Sequence, residues 1–244
     1  MKVVDANWEK ENILKKTIEI TFDNNEDKNI IKSRVNEIID GYEYIVIKSP
    51  IGRIDINKYL STIGFYFVES QLSLRRNLKQ KFPNQKMLDY IEKKVSAIKI
   101  SDQEKMHSEI LKNIDSNMFS TDRIYLDDSF DKGASERRYK NWIATTFHKN
   151  ELYKLVYKED IVGFTYGSYC NNIYRGLLGG IFSPYKDLGL GISIIQKPIY
   201  ESIKRNIKYF ETKISSNNLN VLTLYQSFNF EIYKIENVFV KINN

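Results

Sequence analysis

Residues 183–196 read SPYKDLGLGISIIQ, with Gly189 and Gly191 one residue apart at the head of an apolar run. The segment before it, NNIYRGLLGGIF (171–182), reads as a strand. A strand therefore feeds a loop, and the loop opens a helix at about Leu190. The first N–H groups of a helix lack internal partners, and its dipole favours an anion there. Glycines let that backbone come close to a phosphate. The stretch is a candidate diphosphate cradle inside a strand–loop–helix unit. It lacks the Lys-Ser/Thr pair of a P-loop and the third glycine of a dinucleotide fingerprint. Two glycines in such a turn are also an ordinary packing feature.

The surrounding half of the chain is regular. SERRYKNWIATTFH (135–148) places Tyr139, Trp142, Ile143 and Phe147 on one helical face, with Ser135 as an N-cap. ELYKLVYKEDIVGFTYGSYC (151–170) reads as a hairpin around Glu159-Asp160. After the glycine loop and its helix come a strand near KYFETKI (208–214), a helix in NNLNVLTLYQSF (217–228) and a last strand, FEIYKIENVFVKI (230–242). The order predicts a mixed α/β (α+β) sheet flanked by helices. Tyr225 follows the apolar stripe of Val221 and Leu224. It reads equally as a core tyrosine closing a helix or as a phenol at a cleft, protonated at neutral pH with an ordinary pKa of about 10.

Toward the N-terminus the pattern repeats on a smaller scale. NIIKSRVNEIIDGY (29–42) has helical spacing and a stop at Gly41. YEYIVIK (42–48) reads as a strand, INKYLSTIGF (56–65) as a helix ending near Gly64, and YFVESQLSL (66–74) as a strand. Residues 77–120 read as a helical or irregular connector. A boundary near 120, at the acidic, turn-rich STDRIYLDDSFDKGAS (120–135), gives a smaller N-terminal α/β domain with its connector (1–119) and a second domain (120–244).

The chain has 244 residues, 42% of them hydrophobic and 28% charged, ordinary values for a globular protein. No apolar run nears the ~18 residues of a membrane span, and MKVVDANWEKEN has no signal-peptide core. Cys170 is the one cysteine, so no internal disulfide forms, and a cytoplasmic, membrane-free protein is expected. The net charge is +6, but the basic residues of SLRRNLKQKF (73–82) and ERRYK (136–140) fit solvated helix faces, which makes nucleic acid an unfavoured partner. No Cys/His spacing suits a metal, and none is expected.

Two separated motifs together resemble the GNAT N-acetyltransferases. Their Gln/Arg-x-x-Gly-x-Gly/Ala signature stands here as Lys186-Asp187-Leu188-Gly189-Leu190-Gly191. Their Asn-x-x-Ala/Val-x-x-Leu-Tyr element, followed by Gly-Phe, stands as Asn218 to Tyr225, followed by Asn229-Phe230. Lys186 keeps a charge but loses the bidentate geometry of Arg, and Asn229 tolerates the left-handed turn of the missing glycine. The resemblance covers residues 120–244. A looser one extends forward: NWEKEN (7–12), YEYIVIK, YLSTIGFYFVESQLSL (59–74) and DDSFDKGASERRYKNWI (127–143) look like dTDP-fucosamine (dTDP-4-amino-4,6-dideoxygalactose) acetyltransferases. An internal echo sets LSTIGFYFVESQLSL (60–74) beside YQSFNFEIYKIENVF (225–239), with Leu60 in the place of Tyr225 and Gly64 in that of Asn229. The N-terminal part then resembles a degenerate half-copy that shapes the substrate site and holds no cofactor of its own.

The resemblance implies acetyl-CoA as cosubstrate and direct attack of a primary amine on the thioester. Gly180, Ile181, Phe182 and Ser183 would offer backbone to the pantetheine arm. Lys186 to Gly191 would hold the diphosphate, and Asn218 would bind the cofactor from the opposite wall. Tyr225 would protonate the leaving thiolate. The base is not visible on LLGGIF; His148 and Asp128 are fallback candidates, with helix-end and turn roles as their plainer readings, and His107 carries less signal. The acceptor expected is a nucleotide-linked amino sugar. Another small amine, amino acid or peptide amine, and a non-catalytic CoA- or nucleic-acid-binding module, are the alternatives. A homodimer is compatible with the sequence.

Overall fold

The computed structural model describes residues 1–83 and 85–243. Its strands are β1 (Lys2–Asp5), β2 (Thr17–Thr21), β3 (Tyr44–Pro50), β4 (Tyr66–Asn77), β5 (Ser96–Ile100), β6 (Glu151–Tyr157), β7 (Asp160–Cys170), β8 (Ile173–Ile181), β9 (Tyr209–Ser215) and β10 (Glu231–Ile242). All belong to one sheet in the order β1-β2-β3-β10-β4-β9-β8-β7-β6-β5. The helices are α1 (Glu9–Ile13), α2 (Lys28–Ile39), α3 (Ile54–Thr62), α4 (Gln85–Lys94), α5 (Gln103–Glu109), α6 (Arg123–Leu126), α7 (Ala134–Thr146), α8 (Ser193–Lys204) and α9 (Leu219–Ser227). The mixed α+β sheet flanked by helices is the expected class.

Local chemistry accounts for these elements. α2 buries Ile31, Val35 and Ile39, one per turn, and Asp27 caps it by accepting from the N–H groups of Asn29 and Ile30. β3 is buried on both faces, which is why it reads as an unbroken apolar run. α3 and α9 end alike: Gly64 (φ 86°) and Asn229 (φ 57°) turn left-handed before the next strand. The internal echo is thus a repeated strand–helix–strand unit, β3-α3-β4 and β9-α9-β10.

The two units exchange their last strands. β10 lies antiparallel between β3 and β4, and β4 lies antiparallel between β10 and β9. The sheet therefore crosses residue 120 without a break. Its two faces differ. Ile18, Ile20, Ile45, Ile47 and Phe239 pack under α2 and α3, and Leu72, Leu74, Phe210 and Ile214 pack under α8 and α9. On the opposite face, pairing places Glu19, Lys48, Gln71, Lys213 and Glu236 on one side of the sheet. Arg76 secures the junction: it is 1% exposed and donates to the carbonyls of Phe228, Gln80 and Lys81.

Several local readings change. SAIKI, read as part of a helical stripe, is edge strand β5 paired with β6; its β-branched residues outweigh the polar spacing. β1 and β2 have no counterpart in the sequence reading. The N-cap of α7 is Gly133, so Ser135 lies inside the first turn with its buried hydroxyl unpartnered. The turn of the first hairpin is Lys158-Glu159, both with positive φ.

Candidate active site

β8 and β9 run parallel and pair only from Ile173–Tyr209 to Gly176–Thr212. Beyond that point β8 continues to Ile181 and β9 to Ser215 without each other. β7 occupies the far edge of β8, so the cleft-side N–H and C=O groups of residues 177–181 have no strand beside them. The register between β7 and β8 shifts at the same place: Gly167 faces Gly176 but Tyr166 faces Leu178, which leaves Leu177 as an extra residue. Such a bulge re-aims the backbone. The splay opens a cleft of about 700 Å³ through the sheet.

One wall is apolar and belongs to α8 and α9. Ile194, Ile195, Val221, Leu224 and Tyr225 line it. Tyr225 is 7% exposed and packs edge-on against Phe210 and Phe230. Burial pushes its phenol up to about 12, against a smaller opposing effect of the Thr212 hydroxyl. It stays protonated at neutral pH. The core and cleft positions read for Tyr225 coincide: its ring sits in the core cluster while the residue borders the cleft.

The other wall is charged, and much of it comes from the N-terminal half. Arg123 is buried; its guanidinium lies 3.2 Å from Glu69 and 3.7 Å from Glu19. Lys48 pairs with Glu19 at 3.0 Å. Burial raises the Glu19 carboxyl, but Lys48 and Arg123 outweigh it and hold the group down at about 2. Arg138 pairs with Glu9 at 2.6 Å, and the Tyr139 hydroxyl donates to Asp122 at 2.5 Å. Glu69 is 4% exposed and gives one oxygen to Arg123.

The residues singled out from sequence divide by position. Gly180 and Ile181 end β8, and Phe182 is buried beside Phe164. Ser183 donates to Asp115 at 2.7 Å, and Lys186 donates to the Asn117 carbonyl at 3.0 Å. Asp187 and Leu188 are exposed, and Leu190 is buried. The helix expected at Leu190 starts at Ser193, after two 3₁₀ turns, Ser183–Leu188 and Leu190–Ile192, hinged at Gly189 (φ 68°). A Cβ at Gly189 or Gly191 would touch nothing within 4 Å. These glycines answer to no packing neighbour and leave room for a ligand against bare backbone. Asn218 lines the cleft and caps α9, its side chain accepting from Val221 N–H at 3.2 Å.

His107, His148 and Asp128 are exposed, and none lines the cleft. Glu69 does, and sequence reasoning missed it, as it missed Leu177, Leu178 and Gly179. The one sequence signal for the β8 residues was the glycine pair 179–180. A Cβ at Gly179 would lie 2.6 Å from Ile194 and one at Gly180 2.5 Å from Met118, so α8 and the residue 118 turn approach β8 closely. Among the described residues, no group of histidine, cysteine or carboxylate side chains suits a metal, and no helix is long and apolar enough to cross a membrane.

No family model matches the sequence, and no curated protein matches it. Solved structures do. The GCN5-related N-acetyltransferase from Sphaerobacter thermophilus superposes with a TM-score of 0.59 at 12% identity, over 88% of this chain and 65% of that one. This chain thus spans less than two thirds of that protein. The tandem GNAT protein from the clavulanic acid biosynthesis pathway gives 0.56 at 10% identity, over 93% of this chain and 75% of that one. The GCN5-related N-acetyltransferase from Kribbella flavida gives 0.54 at 10% identity, over 93% and 82%. Identities this low speak to architecture, and the architecture of this chain is the fold of the GCN5-related N-acetyltransferases.

Proposed function

We propose that this protein is an acetyl-CoA-dependent N-acetyltransferase acting on a small primary amine. The observation that carries the reading is the splay of β8 from β9, with Tyr225 lining the cleft; the open Gly189–Gly191 backbone follows β8 in the chain, outside the cleft lining. Bound acetyl-CoA supplies the acetyl thioester. The backbone of 186–191 would hold its diphosphate, and the free edge of β8 past Gly176 would hydrogen-bond its amide arm. Lys186, engaged with Asn117, would add charge at the mouth rather than a bidentate clamp.

The acceptor enters from the charged wall. Its nitrogen bonds to the acetyl carbon, the carbon–sulfur bond breaks, and Tyr225 gives its proton to the leaving sulfur. A phenol raised by burial suits a donor that must be protonated at rest. The proton lost by the amine needs an acceptor on the opposite side. Glu69, one of four carboxylates that line the cleft, would take it through water. Alignment of amine and thioester supplies much of the rate.

A nucleotide-linked amino sugar rests on the sequence resemblance alone, and a cytoplasmic home on the single cysteine. The test is release of free thiol from acetyl-CoA with a panel of amines. Saturable release that depends on the amine supports transfer. Tight CoA binding without release from any amine would favour a non-catalytic module.

A further inference from the structure

The polar face of the sheet carries more positive than negative charge where β8 and β9 part. Arg75, Arg175, Lys213 and Lys234 share two carboxylates, Glu211 and Glu236. Arg75 is held tightly by Glu211, which leaves Arg175 at 3.6 Å from it. Lys234 holds Glu236 at 2.9 Å, which leaves Lys213 at 4.0 Å. Lys213 keeps one hydrogen bond, to Gln71 at 3.3 Å. An ammonium has three donors, so its capacity is largely unused. Lys48, by contrast, is closely paired with Glu19.

Position makes this surplus relevant to chemistry. Lys213 follows Thr212, the last residue of β9 that pairs with β8, and both line the cleft. Thr212 faces the Tyr225 hydroxyl on the apolar side. Lys213 alternates to the polar side, where the acceptor enters. We propose that the acceptor bears an anionic group, a carboxylate or a phosphate, close to its amine, and that Lys213 and Arg175 bind that group. This rests on the acetyl-transfer reading and narrows its substrates to amino acids or amino phosphates, excluding polyamines and uncharged amino sugars. The electrostatics agree: burial, with repulsion from Lys48 and Lys234, pushes the Lys213 ammonium below its ordinary pKa despite Glu236. A bound anion relieves that repulsion.

The experiment compares matched pairs: L-amino acids against their methyl esters, O-phosphoethanolamine against ethanolamine, and glucosamine 6-phosphate against glucosamine. Thiol release gives kcat/KM, and calorimetric titration into the CoA-loaded protein gives affinity without turnover. The anionic member of at least one pair is expected to win by about tenfold or more, the size of one ion pair. Whether the amino-acid or the phosphate pairs respond identifies the anion. Lys213→Met should bring that ratio close to one, and Lys213→Arg should restore part of it. Selection by charge in binding, without thiol release from any amine, keeps the anion site and sinks the transfer reading. Neutral members that match or beat their anionic partners overturn the anion site, as does a ratio that survives in the Met variant.

Discussion

The Thr212 hydroxyl donates to the carbonyl of Gly176 at 3.1 Å, joining β9 to β8 at the last pair before the strands part. The same hydroxyl faces the Tyr225 phenol. Thr212→Val keeps the shape, leaves the Gly176 carbonyl without this donor and removes the polar neighbour of Tyr225. Stability should fall by about 1 kcal/mol. Turnover should drop about tenfold, since the phenol loses the group that opposes its rise. Thermal melting and steady-state kinetics on the variant measure the two losses separately.

Tyr225→Phe keeps the ring contacts with Phe210 and Phe230. Folding and acetyl-CoA affinity should survive, while kcat falls by roughly 10²–10⁴, the usual cost of a lost general acid. Near-wild-type turnover in this variant would return Tyr225 to a packing role alone.

Gly191→Val separates ligand from fold more cleanly than Gly189→Val. Gly191 has open space at its Cβ and no positive φ, whereas Gly189 sits at φ 68° and would add backbone strain of about 1–2 kcal/mol. The Gly191 variant should melt like the wild type yet bind CoA at least about tenfold more weakly. Calorimetry with CoA decides it; unchanged affinity would remove the diphosphate from this loop.

Acid should act through Glu19. Its carboxyl is held at about 2 in the folded chain against an ordinary value of 4.5. A depressed folded pKa means the stabilisation is complete above about 4.5 and is lost as pH falls toward 2. The difference corresponds to about 3 kcal/mol. Urea unfolding at a series of pH values should show a steeper acid decline for the wild type than for Glu19→Gln. Equal declines would mean that Lys48 and Arg123 do not favour the ionised form.

Local sequence made much of this legible. Alternating and helical patterns located β6 to β10, α7 and α9, and the left-handed Gly64 and Asn229 fall where the two helices end. The turn at Gly189 and the Asn218 cap of α9 are likewise set by residues adjacent in sequence. The exchange of β4 and β10 was not, because it pairs residues more than 150 positions apart and either arrangement buries the same apolar alternation. Glu69 was invisible as a cleft residue for that reason: in sequence it is one polar position of a strand, and only the exchange sets it near Asn218. The β8 bulge at Leu177 likewise depends on register with β7.

The exchange also sets the order in which the chain can fold as it is made. β3 and β4 emerge early from the ribosome, yet the strand that belongs between them is β10, the last of the ten to be synthesised. Until it arrives, one edge of β3 and one edge of β4 lack their partner, and exposed edges recruit foreign strands. The N-terminal half therefore does not finish folding first, as leading domains generally do. β10 completes both halves of the sheet at once, since it pairs with β3 on one side and β4 on the other.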